Sequence, residues 1–177
     1  MFMRKLFLLV GGALSAGPLL AQQGPGLGEE ISLEDLAPWD ISIEADGSGL
    51  PPGSGDAAAG EAIYAAQCLA CHGEAGAGQP NDRLVGGHGT LSDLAQVRTV
   101  GSYWPYASTL FDYIRRAMPF VTPQSLSDDQ VYALSAYILY LNGIIDEDDV
   151  MNASTLARIE MPNRDGFILA YPSRADN

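Results

Sequence analysis

Cys68-Leu69-Ala70-Cys71-His72 is a C-x-x-C-H run, the attachment signature of a c-type haem. The spacing follows from the chemistry. Two thiols on one helical turn can add to the two vinyl groups along one haem edge, and the histidine after them turns its imidazole toward the iron. The chain holds only two cysteines and two histidines, and this run uses both cysteines and one histidine. Other readings of the cysteines are weaker. A thioredoxin-like C-x-x-C belongs in a βαβ setting, which the sequence lacks. A structural zinc site needs four ligands, with its histidines a few residues apart, and His88 lies far from His72. A disulfide across two intervening residues is rare and strained.

The N-terminus points to the same compartment as the motif. Residues 1–21 read as a secretory signal peptide: Arg4 and Lys5, an apolar run over 6–14, then a stretch ending at Ala21. Ala21 suits cleavage, although Leu19 is a poorer residue two places before it. As a retained anchor the run fails, because glycines and Pro18 break it and it is short of the about 20 residues a span needs. The expectation is a periplasmic protein with no membrane attachment after cleavage.

Acids outnumber bases, 22 to 9, for a net charge of −13. Two of the bases lie in the pre-sequence, and every later one is arginine. Such a chain repels nucleic acid and anionic membranes. A basic protein partner fits, and so does a plain solvated acidic surface.

The rest divides into an N-terminal arm over 22–55, a haem domain over 56–143 and a tail over 144–177. The arm is rich in Gly, Pro and acids, with a turn or two of helix near 29–36 and turn clusters at Asp46-Gly47 and Pro51-Pro52-Gly53. It is too broken to build a core, yet Trp39 is costly to leave bare, so it is expected to pack on the domain or on a partner. Asp56 is an N-cap for a first helix running into Cys68. A shorter helix is expected from Ser108 to Ala117, stopping before Pro119. The last core helix opens on a capping box, Ser127 with Gln130. It carries an apolar stripe of Val131, Leu134, Ile138 and Leu141, and Gly143 fits its end. The tail reads as polar chain over the surface.

Helix, haem motif, loops, middle helix, methionine and long last helix make an order that resembles a class I cytochrome c. The resemblance implies an all-α fold, here with an irregular arm and tail. The first and last helices would cross where Gly60 and Tyr64 meet Ala133 or Tyr137. It also implies one covalent haem c per chain, with His72 as one axial ligand and a methionine sulfur as the other. Met118, just after the middle helix and followed by Pro119, is the best placed. Met151, Met161 and His88 are the alternatives.

A closer resemblance lies around that methionine. The stretch from Gly101-Ser102-Tyr103-Trp104-Pro105-Tyr106 to Arg115-Arg116-Ala117-Met118-Pro119-Phe120 is similar to the cytochrome subunit of the sulfane dehydrogenase of the periplasmic Sox thiosulfate-oxidising system. So are Leu50-Pro51-Pro52-Gly53-Ser54-Gly55, the Tyr-rich helix over 125–142, and Met161-Pro162-Asn163. The family implies a molybdenum-cofactor catalytic subunit as electron donor and a periplasmic cytochrome or other acceptor downstream. Tyr103, Trp104 or Tyr106, with Arg115 or Arg116, could reach the haem propionates, and Trp104 and Arg115 are the chosen pair. Leu84, Val85, Phe111 and Ile114 would help bury the haem. With both axial positions filled, the chain would move electrons rather than bind substrate. The alternative function is a freely diffusing cytochrome c serving other periplasmic complexes.

Overall fold

The computed structural model describes residues 27–168, 170 and 171. The expected signal peptide, the start of the arm and the end of the tail lie outside the described residues. Two compact units are present, Met1–Trp39 and Asp40–Asn177.

Among its described residues, the first unit contains one short helix, α1, Leu33–Leu36. Ser32 caps it, accepting from the Asp35 N–H at 3.1 Å, while the Asp35 carboxylate accepts back from the Ser32 N–H at 3.1 Å. Leu33, Leu36 and Trp39 are exposed.

The second unit is built on three helices, α2, Ala57–Gln67, α4, Ala107–Ala117, and α5, Asp128–Leu141. A single turn, α3, Leu69–His72, follows α2. Asp56 caps α2 through the Ala59 N–H at 2.8 Å. Ser127 and Gln130 form the capping box of α5. Gly143, with φ of +65°, takes the left-handed turn that lets the chain leave that helix. Helix α4 starts one residue earlier than expected, at Ala107, with no side-chain cap.

Helix α5 is the centre of the core. Every residue from Val131 to Leu139 is buried, because it is covered from several sides at once. Helix α2 crosses it at Gly60, where an added Cβ would stand 2.0 Å from the Ala133 carbonyl oxygen. No side chain fits there, and the glycine lets the two backbones touch. Beside the crossing the rings of Tyr64 and Tyr137 lie 5.4 Å apart. Helix α4 covers another face, with the Phe111 and Tyr132 rings 4.4 Å apart.

The chain on either side of the helices is also part of this core. Residues 40–55 run along it. The Ser108 hydroxyl donates to the Ala45 carbonyl at 2.9 Å, the Tyr132 hydroxyl to Pro51 at 2.8 Å, and Arg116 to Ile41 at 3.1 Å. Then β1, Ser54–Gly55, pairs antiparallel with β2, Met151–Asn152. A last turn, α6, Ala153–Leu156, is capped by Asn152. Met151, Leu156 and Met161 belong to the buried cluster. The segment after α5 is thus not simply polar surface chain. Met151, Leu156 and Met161 stand five apart among polar residues, which is neither a helical nor a strand period, yet each reaches the core.

Candidate functional site

Helix α2 delivers the cysteine run. The helix ends at Gln67, and Cys68 bends the chain, with φ −120° and ψ −34°, into α3. The turn closes on itself, with the His72 N–H donating to the Cys68 carbonyl at 2.9 Å and the Gly73 N–H to Leu69 at 2.9 Å. Gly73 then has φ of +74°, and an added Cβ would lie 2.4 Å from the Gly78 carbonyl oxygen. Only glycine allows this return. The Gly78 N–H donates back to the His72 carbonyl at 2.7 Å, and the Asn81 N–H to Cys71 at 2.8 Å. The Tyr64 hydroxyl donates to the Gly73 carbonyl at 2.8 Å. Burial pushes the Tyr64 phenol up to about 12, so it stays protonated and keeps that bond.

Cys68 and Cys71 are free thiols, the first half-buried and the second exposed. Burial, and then the neighbouring Cys71, push the Cys68 thiol up to about 11. It is therefore a neutral thiol at ordinary pH.

His72 is half-buried, and its Nδ1 lies 2.8 Å from the Asp82 carbonyl oxygen. A carbonyl only accepts, so Nδ1 carries a ring proton and Nε2 is the nitrogen left to ligate a metal. A ligating imidazole has its other nitrogen held by an acceptor in this way. Two neighbouring thiols and such an imidazole are donors that fit a c-type haem. No group of three or more His, Cys, Asp or Glu side chains among the described residues is placed to hold a bare metal ion.

Met118 follows the last residue of α4 in an extended conformation, φ −120° and ψ 146°. It is half-buried and packs on the edge of the core, as do Cys68, Leu84 and Trp104. Met151 and Met161 sit inside the core at 3 % exposure each. His88 is exposed, in a shallow cavity with Ser92, Pro162 and Asn163. The Trp104 ring stands edge-on to Tyr113 at 5.6 Å. Arg115 pairs with Asp128 at 3.0 Å through Nε, and Arg116 pairs with Asp112. The Tyr103 and Tyr106 rings are covered by Arg98 and Arg164, at 5.1 and 5.3 Å. Val85 is half-buried, while Phe111 and Ile114 are buried.

Sequence reasoning missed Asp82 and Asn142. Asp82 acts through its backbone oxygen, which no residue identity reveals. Asn142 was visible as a lone amide between the apolar α5 and Gly143, and it is 7 % exposed.

The family described as cytochrome C oxidase, cbb3-type, subunit III matches residues 55–138. Among solved structures, the chain is similar to one in the crystal structure of the sulfane dehydrogenase SoxCD from Paracoccus pantotrophus. The two are 44 % identical with a TM-score of 0.77, over 86 % of this chain and 74 % of that one. Among curated proteins, none matches.

Proposed function

The chain belongs to the c-type cytochrome family represented in the sulfane dehydrogenase SoxCD, with a class I cytochrome c fold, and from that premise we propose that it is a periplasmic one-haem electron-transfer subunit. Its donor would be a molybdenum-cofactor subunit that oxidises sulfane sulfur, and a periplasmic cytochrome or similar acceptor would take the electrons on. The likeness to the SoxCD chain carries the reading, because it runs far beyond the C-x-x-C-H motif that many unrelated cytochromes share.

In this reading the Cys68 and Cys71 thiols hold a haem c by two thioethers, with His72 Nε2 and the Met118 sulfur on the iron. Bound there, the haem supplies one-electron ferric–ferrous chemistry. The residues of the chain set its terms. A methionine ligand favours the ferrous state more than a second histidine does. The Asp82 carbonyl fixes the plane and the tautomer of His72. Trp104 and Arg115 are the proposed propionate partners. Arg115 is already oriented by Asp128 through Nε, which leaves its terminal nitrogens to donate. Among the described residues, no helix is long and apolar enough to cross a membrane.

The test is size-exclusion chromatography of the matured protein with the molybdenum subunit, together with its intact mass. The expected result is one haem retained after acid–acetone extraction and co-elution of the two proteins at low salt. Separate elution would favour the freely diffusing carrier, and an extractable haem would overturn the thioether assignment.

A further inference from the structure

Asn142 ends α5 with its carboxamide buried, and all of that group's bonds are satisfied. The Oδ1 atom accepts from the Gly86 N–H at 3.0 Å, and Nδ2 donates to the Leu84 carbonyl at 3.3 Å and to Ile138 at 2.9 Å. An N–H can only donate and a carbonyl can only accept, so the amide has a single orientation. The bond to Ile138 closes the last turn of α5, which is ordinary helix capping. The other two leave the helix and hold the loop at 84–86.

That loop leads back to His72. Asp82, whose carbonyl takes the His72 Nδ1 proton, lies two residues before Leu84. Between them, the Arg83 Nε donates to the Ala77 carbonyl at 3.1 Å. The Leu84 N–H donates to Gly76 at 2.9 Å, inside the turn that follows the cysteine run. On the far side, the Thr99 hydroxyl donates to the Gly86 carbonyl at 2.6 Å. Helix α5 is the most deeply buried element, so Asn142 ties the 84–86 loop to the centre of the core.

We propose that Asn142 is a positioning residue for the His72 imidazole, acting through the 84–86 loop and the Asp82 carbonyl. A buried amide is costly unless every bond is made, and an apolar residue would fill the same space without that cost. What the amide adds is a fixed loop. A fixed Asp82 oxygen keeps the Nδ1–H bond short, and that bond makes the imidazole a stronger donor through Nε2. A stronger donor favours the ferric state and holds the reduction potential down.

The inference rests on His72 being an iron ligand, and the experiment separates the two. In the reduced holoprotein, the His72 ring protons should carry the large ring-current shifts of a haem ligand. Ordinary shifts in the wild type would overturn the ligand assignment. With those shifts in place, Asn142→Leu removes both loop bonds, together with the one to Ile138, in a side chain of the same branching. The His72 Nδ1–H should then exchange with solvent about tenfold faster, as expected for local opening, and the midpoint potential should rise. The Gly60 amide, at the α2–α5 crossing, should keep its exchange rate. Unchanged Nδ1–H exchange overturns the proposal, and so does acceleration that includes Gly60, which would make Asn142 a general stability residue. If Asn142→Leu fails to mature, Thr99→Val loosens the same loop from its other side. The same Nδ1–H acceleration there supports the proposal, and its absence overturns it.

Discussion

Burial separates the three methionines among the described residues. Met151 and Met161 are sealed in the core, while Met118 stands at its edge with Cys68, Leu84 and Trp104. A sulfur that ligates a haem must be free to leave the protein packing, and Met118 has that freedom by position. Met118→Ala should abolish the weak near-infrared sulfur-to-iron band of the oxidised protein. Met161→Ala should leave that band intact but cost about 2–5 kcal/mol of stability, as emptying a core site does. Optical spectra and denaturant melts of both variants decide it, and a band that survives Met118→Ala would move the ligand to Met151 or Met161. At this scale the motif residues could be read directly, since thiols and imidazoles advertise their chemistry. The partner of His72 could not, because a carbonyl oxygen belongs to every residue alike.

At the scale of elements, the contact between α2 and α5 depends on one missing side chain. Helix propensity alone favours Gly60→Ala by about 1 kcal/mol. Against that, the new methyl would have to push two backbones apart, since its Cβ would start 2.0 Å from the Ala133 oxygen. Overpacking of this kind costs about 1–3 kcal/mol or more, so the steric term wins. Gly60→Ala should therefore lower the unfolding free energy, read as an earlier midpoint in guanidinium. A neutral or stabilising result would show that the helices can slide apart. Helices α2 and α5 were legible because caps mark both, Asp56 and Ser127 with Gln130, and a 3.6-residue stripe marks α5 from Val131 to Leu141; α4 has no side-chain cap and was read from the stop before Pro119. The chain beyond α5 was not legible in the same way. The five-residue spacing of Met151, Leu156 and Met161 is neither a helical nor a strand period, and what buries them is tertiary contact that local pattern does not encode. Residues 40–55 were read as part of an arm expected to pack on the domain or on a partner, but which groups they would meet was not legible. Their bonds to Ser108, Arg116 and Tyr132 use backbone carbonyls.

At the scale of the whole molecule, charge governs encounters. A chain with net charge −13 is drawn to basic surfaces, and such attraction mainly speeds association. The rate of complex formation with the molybdenum subunit should fall by about tenfold or more between low and physiological salt, as steering is screened. Stopped-flow mixing across ionic strength measures this, and a flat profile would leave the acidic surface with solvation alone. The pairing of Ser54 with Asn152 has a different consequence, one that concerns time. The strand just before α2 finds its partner only after α5, so most of the domain must be present before this ladder can close. Contacts so distant in sequence slow folding. A chain emerging N-terminus first therefore presents Cys68 and Cys71 well before its final segment arrives, so the two thiols stay accessible for an interval before the domain closes.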